Sequence, residues 1–165
     1  MTNKTTSRIS RRTLVAAALG LGLAPGFAQV NAGEGAPIEV WKHPSSGCCK
    51  DWVKQLEDSG FKVKVNDVGN NAARARLGIE RKYGSCHTAL VGGYAIEGHV
   101  PAKDIQRLLK EKPMAVGLAV PGMPVGSPGM DGPVYNNRQD AYDVLLLTAD
   151  GGSKVFQRYP GNGKA

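Results

Sequence analysis

The sequence is poor in cysteine, poor in aromatic residues and, ahead of Glu34, devoid of acid. Its 165 residues include three cysteines, Cys48, Cys49 and Cys86, with no Cys-x-x-Cys spacing. The dithiol of an exchange enzyme is therefore missing, which weakens a disulfide-exchange reading. Aromatic residues make up 6 % of the chain, and none interleave the basic run of Arg74, Arg76, Arg81 and Lys82. A solvated surface explains that run better than nucleic acid does. Collagen-like and coiled-coil periods are absent, and the length allows one ordinary domain rather than a two-domain enzyme. The 41 % hydrophobic content fits a globular core, while 22 Gly and 10 Pro foretell much irregular backbone.

In that acid-free start, Lys4, Arg8, Arg11 and Arg12 precede an apolar run from Leu14 to Phe27. The run is too short and glycine-rich for a spanning helix, which needs about 20 apolar residues. It has the form of a signal peptide, with a basic start, an apolar centre and small residues at a cleavage site. Val30-Asn31-Ala32 supplies that site, with Gly26-Phe27-Ala28 as a second option. The pairing Ser10-Arg11-Arg12 resembles a twin-arginine signal, although Leu14 takes the usual Phe place and no Lys follows. The reading is a twin-arginine type signal peptide over 1–32 and a mature domain over 33–165 that works in the periplasm, with no membrane span once the signal is removed. Formal charge changes meaning with it. The whole chain carries +7, and without the four leading cations 17 basic residues face 14 acidic ones, leaving +3.

In the mature chain Pro37 to Lys42 alternates as a strand, followed by turn residues from His43 to Gly47. From Cys48 the pattern turns helical: Cys49, Trp52, Val53 and Leu56 share one face, and Gly60 stops it. Phe61 to Val65 alternates again, and Ala72 to Leu77 reads as a short helix capped by Asn. Thr88–Val91 and Tyr94–Glu97 flank Gly92-Gly93, the signature of a two-residue hairpin. Pro101 opens a helix with Ile105, Leu108 and Leu109 on its apolar stripe. The order β-α-β-α-β-β-α is that of thioredoxin-like α/β folds. Met114 to Pro133 has five Gly and four Pro with no helical or strand period, so it is expected as a long Gly/Pro-rich loop. Tyr142–Thr148 and Lys154–Tyr159 then form a C-terminal β-hairpin.

The deduced order brings the helix start at Cys48 and the segment carrying Cys86-His87 to the same edge of the sheet. A helix N-terminus favours thiolate over thiol, and thiolates bind soft metals. Cys48, Cys49 and Cys86 are the candidate ligands. His87 is either a further ligand or a hydrogen-bonded histidine at a strand entrance. Met123 and Met130 share a Pro-Gly-Met setting that suits one of them as an outer ligand, against the gap-filling common to methionine. His43 reads as a turn residue and His99, beyond the hairpin, as one that orients the next helix. Adjacent thiolates, a Cys-His pair and thioethers make a softer set than zinc requires, so Cu(I) is the expected metal and zinc the lesser candidate. A bridge from Cys48 or Cys49 to Cys86 is the plain structural alternative, because an odd cysteine count in an exported protein leaves one thiol over.

Gly47-Cys48-Cys49, Ser85-Cys86-His87-Thr88, Val91-Gly92-Gly93-Tyr94, Ile96-Glu97-Gly98-His99-Val100-Pro101 and the stretch Gly117 to Pro124 resemble the domain of unknown function 411 family. These are periplasmic metal-binding proteins related to CopG-type copper-resistance proteins. The resemblance spans about Ile38 to Tyr159 and implies a thioredoxin-like fold and copper binding in copper resistance, for sequestration or for transfer to and from a periplasmic donor or acceptor protein. Family members carry Cys-x-Cys-Cys at the first site, where this chain has Ser46 in place of the first cysteine. A hydroxyl is a hard, weak ligand, so copper affinity or copper number is expected to fall. The alternative function is a periplasmic thiol-disulfide or copper-dependent oxidoreductase.

Overall fold

The computed structural model describes Met1 and residues 35–163. Apart from Met1, the signal peptide expected over 1–32 lies outside the described residues. Among these no helix is long and apolar enough to cross a membrane.

Chain order is β1 (Pro37–Lys42), α1 (Gly47–Asp58), β2 (Lys62–Asn66), α2 (Asn71–Arg76), β3 (His87–Val91), β4 (Tyr94–Glu97), α3 (Ala102–Glu111), β5 (Gly117–Ala119), β6 (Tyr142–Leu147) and β7 (Ser153–Tyr159), with single 3-10 turns at Arg81–Tyr83 and Pro133–Tyr135. The strands form one mixed sheet in the order β2-β1-β3-β4-β5-β6-β7. β1 runs parallel to β2 and antiparallel to β3, and β3 runs antiparallel to β4. The expected order β-α-β-α-β-β-α is thus present, continued by three further strands. Ile38 and Val40 point inward from β1 and meet Trp52, Val53 and Leu56 of α1, the residues the 3.6 period had placed on one face. Ile105 and Leu108 of α3 close the same core against Ile96 and Leu118. Gly92 and Gly93 both take positive φ, as the two-residue turn demands.

Two local expectations need correction. Asn70 occupies the N-cap position of α2 but does not cap it, because its side-chain amide donates across to Ser85 O and Thr88 Oγ1, each at 3.2 Å. Tertiary acceptors have outcompeted the local N–H groups. The Gly/Pro-rich segment contains β5, whose three residues are fully buried between β4 and β6. Three residues beginning with glycine are too few for a period to register.

Sheet register decides where the chemistry sits. Lys42 at the end of β1 pairs with His87 at the start of β3, and Thr88 pairs with Glu97 at the end of β4. The exit of β1, the approach to β3 and the exit of β4 therefore share one edge. α1 begins at the same edge, after a turn over residues 43–46.

Candidate metal centre

Cys48 and Cys49 lie in the first turn of α1, at its unpaired N–H end. No acidic residue stands in that turn to balance the helix's partial positive charge. Ser46 is the N-cap, yet its hydroxyl makes no cap hydrogen bond; it donates to Cys49 Sγ at 2.8 Å and lies 3.4 Å from Cys48 Sγ. A residue type suited to capping is thus turned toward sulfur. From the approach to β3, Cys86 Sγ reaches within 3.1 Å of Cys49 Sγ and 3.9 Å of Cys48 Sγ. All three are free, none bridged.

Two imidazoles complete the group. His87 is fully buried, tilted 35° against Trp52 with ring centroids 4.1 Å apart, and its Nδ1 lies 3.2 Å from Cys49 Sγ and 3.3 Å from Cys86 Sγ. Its Nε2 has no hydrogen-bond partner. A buried polar atom left so costs about 1–3 kcal/mol, a burden that marks function rather than stability. His99 Nε2 lies 3.0 Å from Cys86 Sγ, while Nδ1 faces Pro128 O at 2.8 Å. A carbonyl can only accept, so Nδ1 carries the proton and Nε2 turns its lone pair toward the sulfur. That is the orientation of a metal-ligating histidine with its second nitrogen anchored.

Electrostatics favours one ionised sulfur. Cys49 is held well below the ordinary thiol range, chiefly by the hydrogen bond with Cys86, with further help from His87 and Ser46 against its burial. Cys86 is pushed up, first by that same bond and then by burial. The pair thus shares one proton, with Cys49 the sulfur that gives it up first. Burial lowers His99 to about 4, so its imidazole is neutral and available near neutral pH.

The ligand atoms of Cys48, Cys49 and Cys86 lie within 4.8 Å of one another, and so do those of Cys86, His87 and His99. The two groups share Cys86. The structure brings four of the six expected ligands together: Cys48, Cys49, Cys86 and His87. The two expected methionines both lie on the Gly/Pro-rich loop. Met123 stands half-exposed on its loop, and Met130 Sδ accepts from Tyr135 Oη at 3.4 Å. His99, expected to orient the following helix, faces Cys86 and Pro128. The register would have found it, since continuing the Thr88–Glu97 pairing by two residues sets His99 opposite Cys86. Gly98 makes that continuation physically feasible: it has positive φ, a Cβ there would collide with Ser85 and Val120, and its N–H donates to His87 O at 3.0 Å. The Gly/Pro-rich loop packs over this edge. Pro128 anchors His99, and Gly129 lies against the Cys48 carbonyl and Trp52.

Comparison with known proteins places the chain among relatives. The family described as protein of unknown function DUF411 matches residues 83–130, which include Cys86, His87, His99 and most of the loop. A solved structure of copper resistance protein copG, Form 1, is 49 % identical over 78 % of this chain and 100 % of that one, with a TM-score of 0.71. Form 2 is 48 % identical over 77 % of this chain and 100 % of that one, with a TM-score of 0.70. A comparison with curated proteins found no match.

Proposed function

The chain belongs to the family of the copper resistance protein copG, and on that footing we propose that it binds Cu(I) in the periplasm through the thiolates of Cys48, Cys49 and Cys86, with imidazole from His87 and His99. The observation that carries the reading is the convergence of three sulfurs and two imidazoles at one sheet edge, with Cys86 common to both ligand groups. Thiolate-rich sites with few oxygen donors suit soft Cu(I), and no carboxylate joins either group. A thiolate has more than one lone pair, so Cys86 is placed to bridge two ions. Zinc remains the lesser candidate, because it needs four donors in a tetrahedral shell rather than a sulfur-bridged chain of contacts.

The core β2-β1-β3-β4 with α1 to α3 is read as thioredoxin-like, which puts the thiols where that fold presents its reactive loop. Export by the signal expected over 1–32 delivers the domain to the periplasm, where copper sequestration or hand-over to an acceptor protein is its role. Met123, at the exposed rim, serves at most as an outer ligand during transfer. Met130 keeps its Tyr135 contact and fills space. Ser46 contributes a hydroxyl to the thiolates instead of a fourth sulfur, so copper number or affinity is lower than a cysteine at that position would give.

Anaerobic Cu(I) titration of the mature protein against a competing chelator tests this. Tight uptake is expected, and Cys48→Ser with Cys49→Ser should remove it; unchanged stoichiometry in that double variant would sink the site. A second reading, a thiol-disulfide or copper-dependent oxidoreductase, draws on the 3.1 Å approach of Cys49 and Cys86. Turnover of a disulfide substrate by the metal-free protein would favour it.

A further inference from the structure

Beside the sulfur cluster lies a second buried network that the proposed chemistry does not use. Glu97, the last residue of β4, is fully buried. Its Oε1 accepts from the Ser85 backbone N–H at 2.7 Å and from Arg74 Nε at 2.8 Å, and its Oε2 accepts from Thr88 Oγ1 at 2.6 Å. Arg74 reaches across from α2 with little exposure of its own and donates also to Ser85 O at 2.5 Å. Asn70 adds donors to Ser85 O and Thr88 Oγ1.

Ser85 and Thr88 are the residues on either side of Cys86-His87. One carboxylate therefore grips the chain immediately before Cys86 and immediately after His87. Three donors converge on it, one of them a guanidinium, which is the environment of an ionised carboxylate even though burial pushes its pKa up. Glu97 also precedes Gly98-His99, so the residue that holds Cys86 and His87 in place is two positions from the third member of their ligand group. A basic run taken as a solvated surface thus contains one arginine with a buried task.

We infer that Glu97, held by Arg74, is a positioning residue for the copper site: by bracketing Ser85 and Thr88 it fixes the Cys86 sulfur and the His87 ring relative to His99. This rests on the copper-binding reading of the site. Glu97 touches neither sulfur nor imidazole, so its effect is transmitted through backbone geometry. Outer residues of this kind change metal affinity by about 10–100-fold when replaced.

Alanine at 97 would remove every acceptor of the bracket and leave a cavity in a buried place, and is a poor test. Glu97→Gln keeps the volume and one acceptor, and Thr88→Val removes a single arm of the bracket with little change of shape. Val144→Ala, in the core strand β6 away from the network, supplies a control that loses stability without touching the bracket. Anaerobic Cu(I) competition titrations and melting of the metal-free mature proteins are compared for all four chains. The expected result is Cu(I) bound at least about ten-fold more weakly by Glu97→Gln and several-fold more weakly by Thr88→Val, with Val144→Ala binding as tightly as the unaltered protein despite a lower melting temperature. Should Glu97→Gln not fold, Thr88→Val against Val144→Ala decides in the same way. Unchanged affinity in the bracket variants overturns the inference, as does weakening in step with melting temperature across all three. If the unaltered protein itself takes up no Cu(I), the function proposed above fails first and the role of Glu97 falls with it.

Discussion

The cluster of Cys48, Cys49, Cys86, His87 and His99 and the cluster of Asp104, Tyr142 and Tyr159 both take polar groups out of water, and they are built on different plans. In the second, a buried acceptor has its donor. Tyr159 Oη donates to Asp104 Oδ2 at 2.6 Å, and Tyr142 stacks on Tyr159 with centroids 4.7 Å apart and planes 8° from parallel. That contact ties the C-terminal hairpin to the first turn of α3. In the first, sulfurs and imidazole nitrogens crowd together at 3.0–3.3 Å, and His87 Nε2 is left without a partner. A closed polar cluster completes itself and stabilises the fold, whereas an open one is complete only when a cation enters. The contrast separates a candidate binding site from a structural tie more sharply than burial does, since each mixes buried residues, Asp104 in one and Cys49, His87 and His99 in the other, with half-buried ones.

Substitutions at the two clusters should therefore fail in different ways. The largest effect is expected at Cys86, common to both ligand groups: Cys86→Ser should abolish tight Cu(I) binding in a chelator competition while leaving the melting temperature of the metal-free protein nearly unchanged. Tyr159→Phe should do the reverse, leaving Cu(I) affinity intact and lowering stability by about 1–3 kcal/mol in denaturant unfolding, because Asp104 loses its buried donor. Copper loss in Tyr159→Phe, or a collapse of stability in Cys86→Ser, would break the distinction. His99→Ala comes next in size. It keeps the three-thiolate group and removes one imidazole, so Cu(I) should still bind, with lower affinity or fewer ions per chain in the same titration. Binding unchanged in number and strength would confine His99 to its Pro128 anchor.

Much of this was legible before any coordinates. The helical spacing of Cys49, Trp52, Val53 and Leu56 fixed the buried face of α1, and the Gly92-Gly93 turn fixed the hairpin that returns the chain to the site. Cys48, Cys49, Cys86 and His87 follow from those two signals plus the order of elements. His99 was within reach of the same reasoning, had the hairpin been used as a register rather than as a boundary. The bond between Ser46 and Cys49, the Glu97 bracket and the sulfur contacts of His87 were not within reach, because each depends on side-chain positions that no periodicity encodes, in one case across elements 38 residues apart. Arg74 shows the limit well: composition alone cannot separate a cation on a solvated helix from one whose guanidinium is drawn inward by a buried acid.

The smallest effect sharpens the comparison through pH. Asp104 sits in the first turn of α3, where the helix end, Lys103 and Arg107 favour its ionised form, yet burial outweighs them and its pKa is raised above the usual 3.8. Tyr159, which donates to it, and Tyr142, stacked on Tyr159, are raised as well, both first by burial. An acid whose folded pKa exceeds its unfolded one binds more protons folded than unfolded. Its contribution is therefore fully present below the unfolded value and is lost as pH rises through the folded one. Asp104→Asn cannot titrate, so the stability of the unaltered protein relative to Asp104→Asn should fall as pH climbs from about 4 toward neutrality. Melting the metal-free proteins side by side at several pH values in that window reads the difference, which is expected to stay within about 1–2 kcal/mol. A difference that grows with pH would mean that Asp104 is held as a stabilised carboxylate. Its cluster would then hold an ionised group, just as the sulfur cluster does at Cys49, and a neutral pairing would no longer be what separates the two.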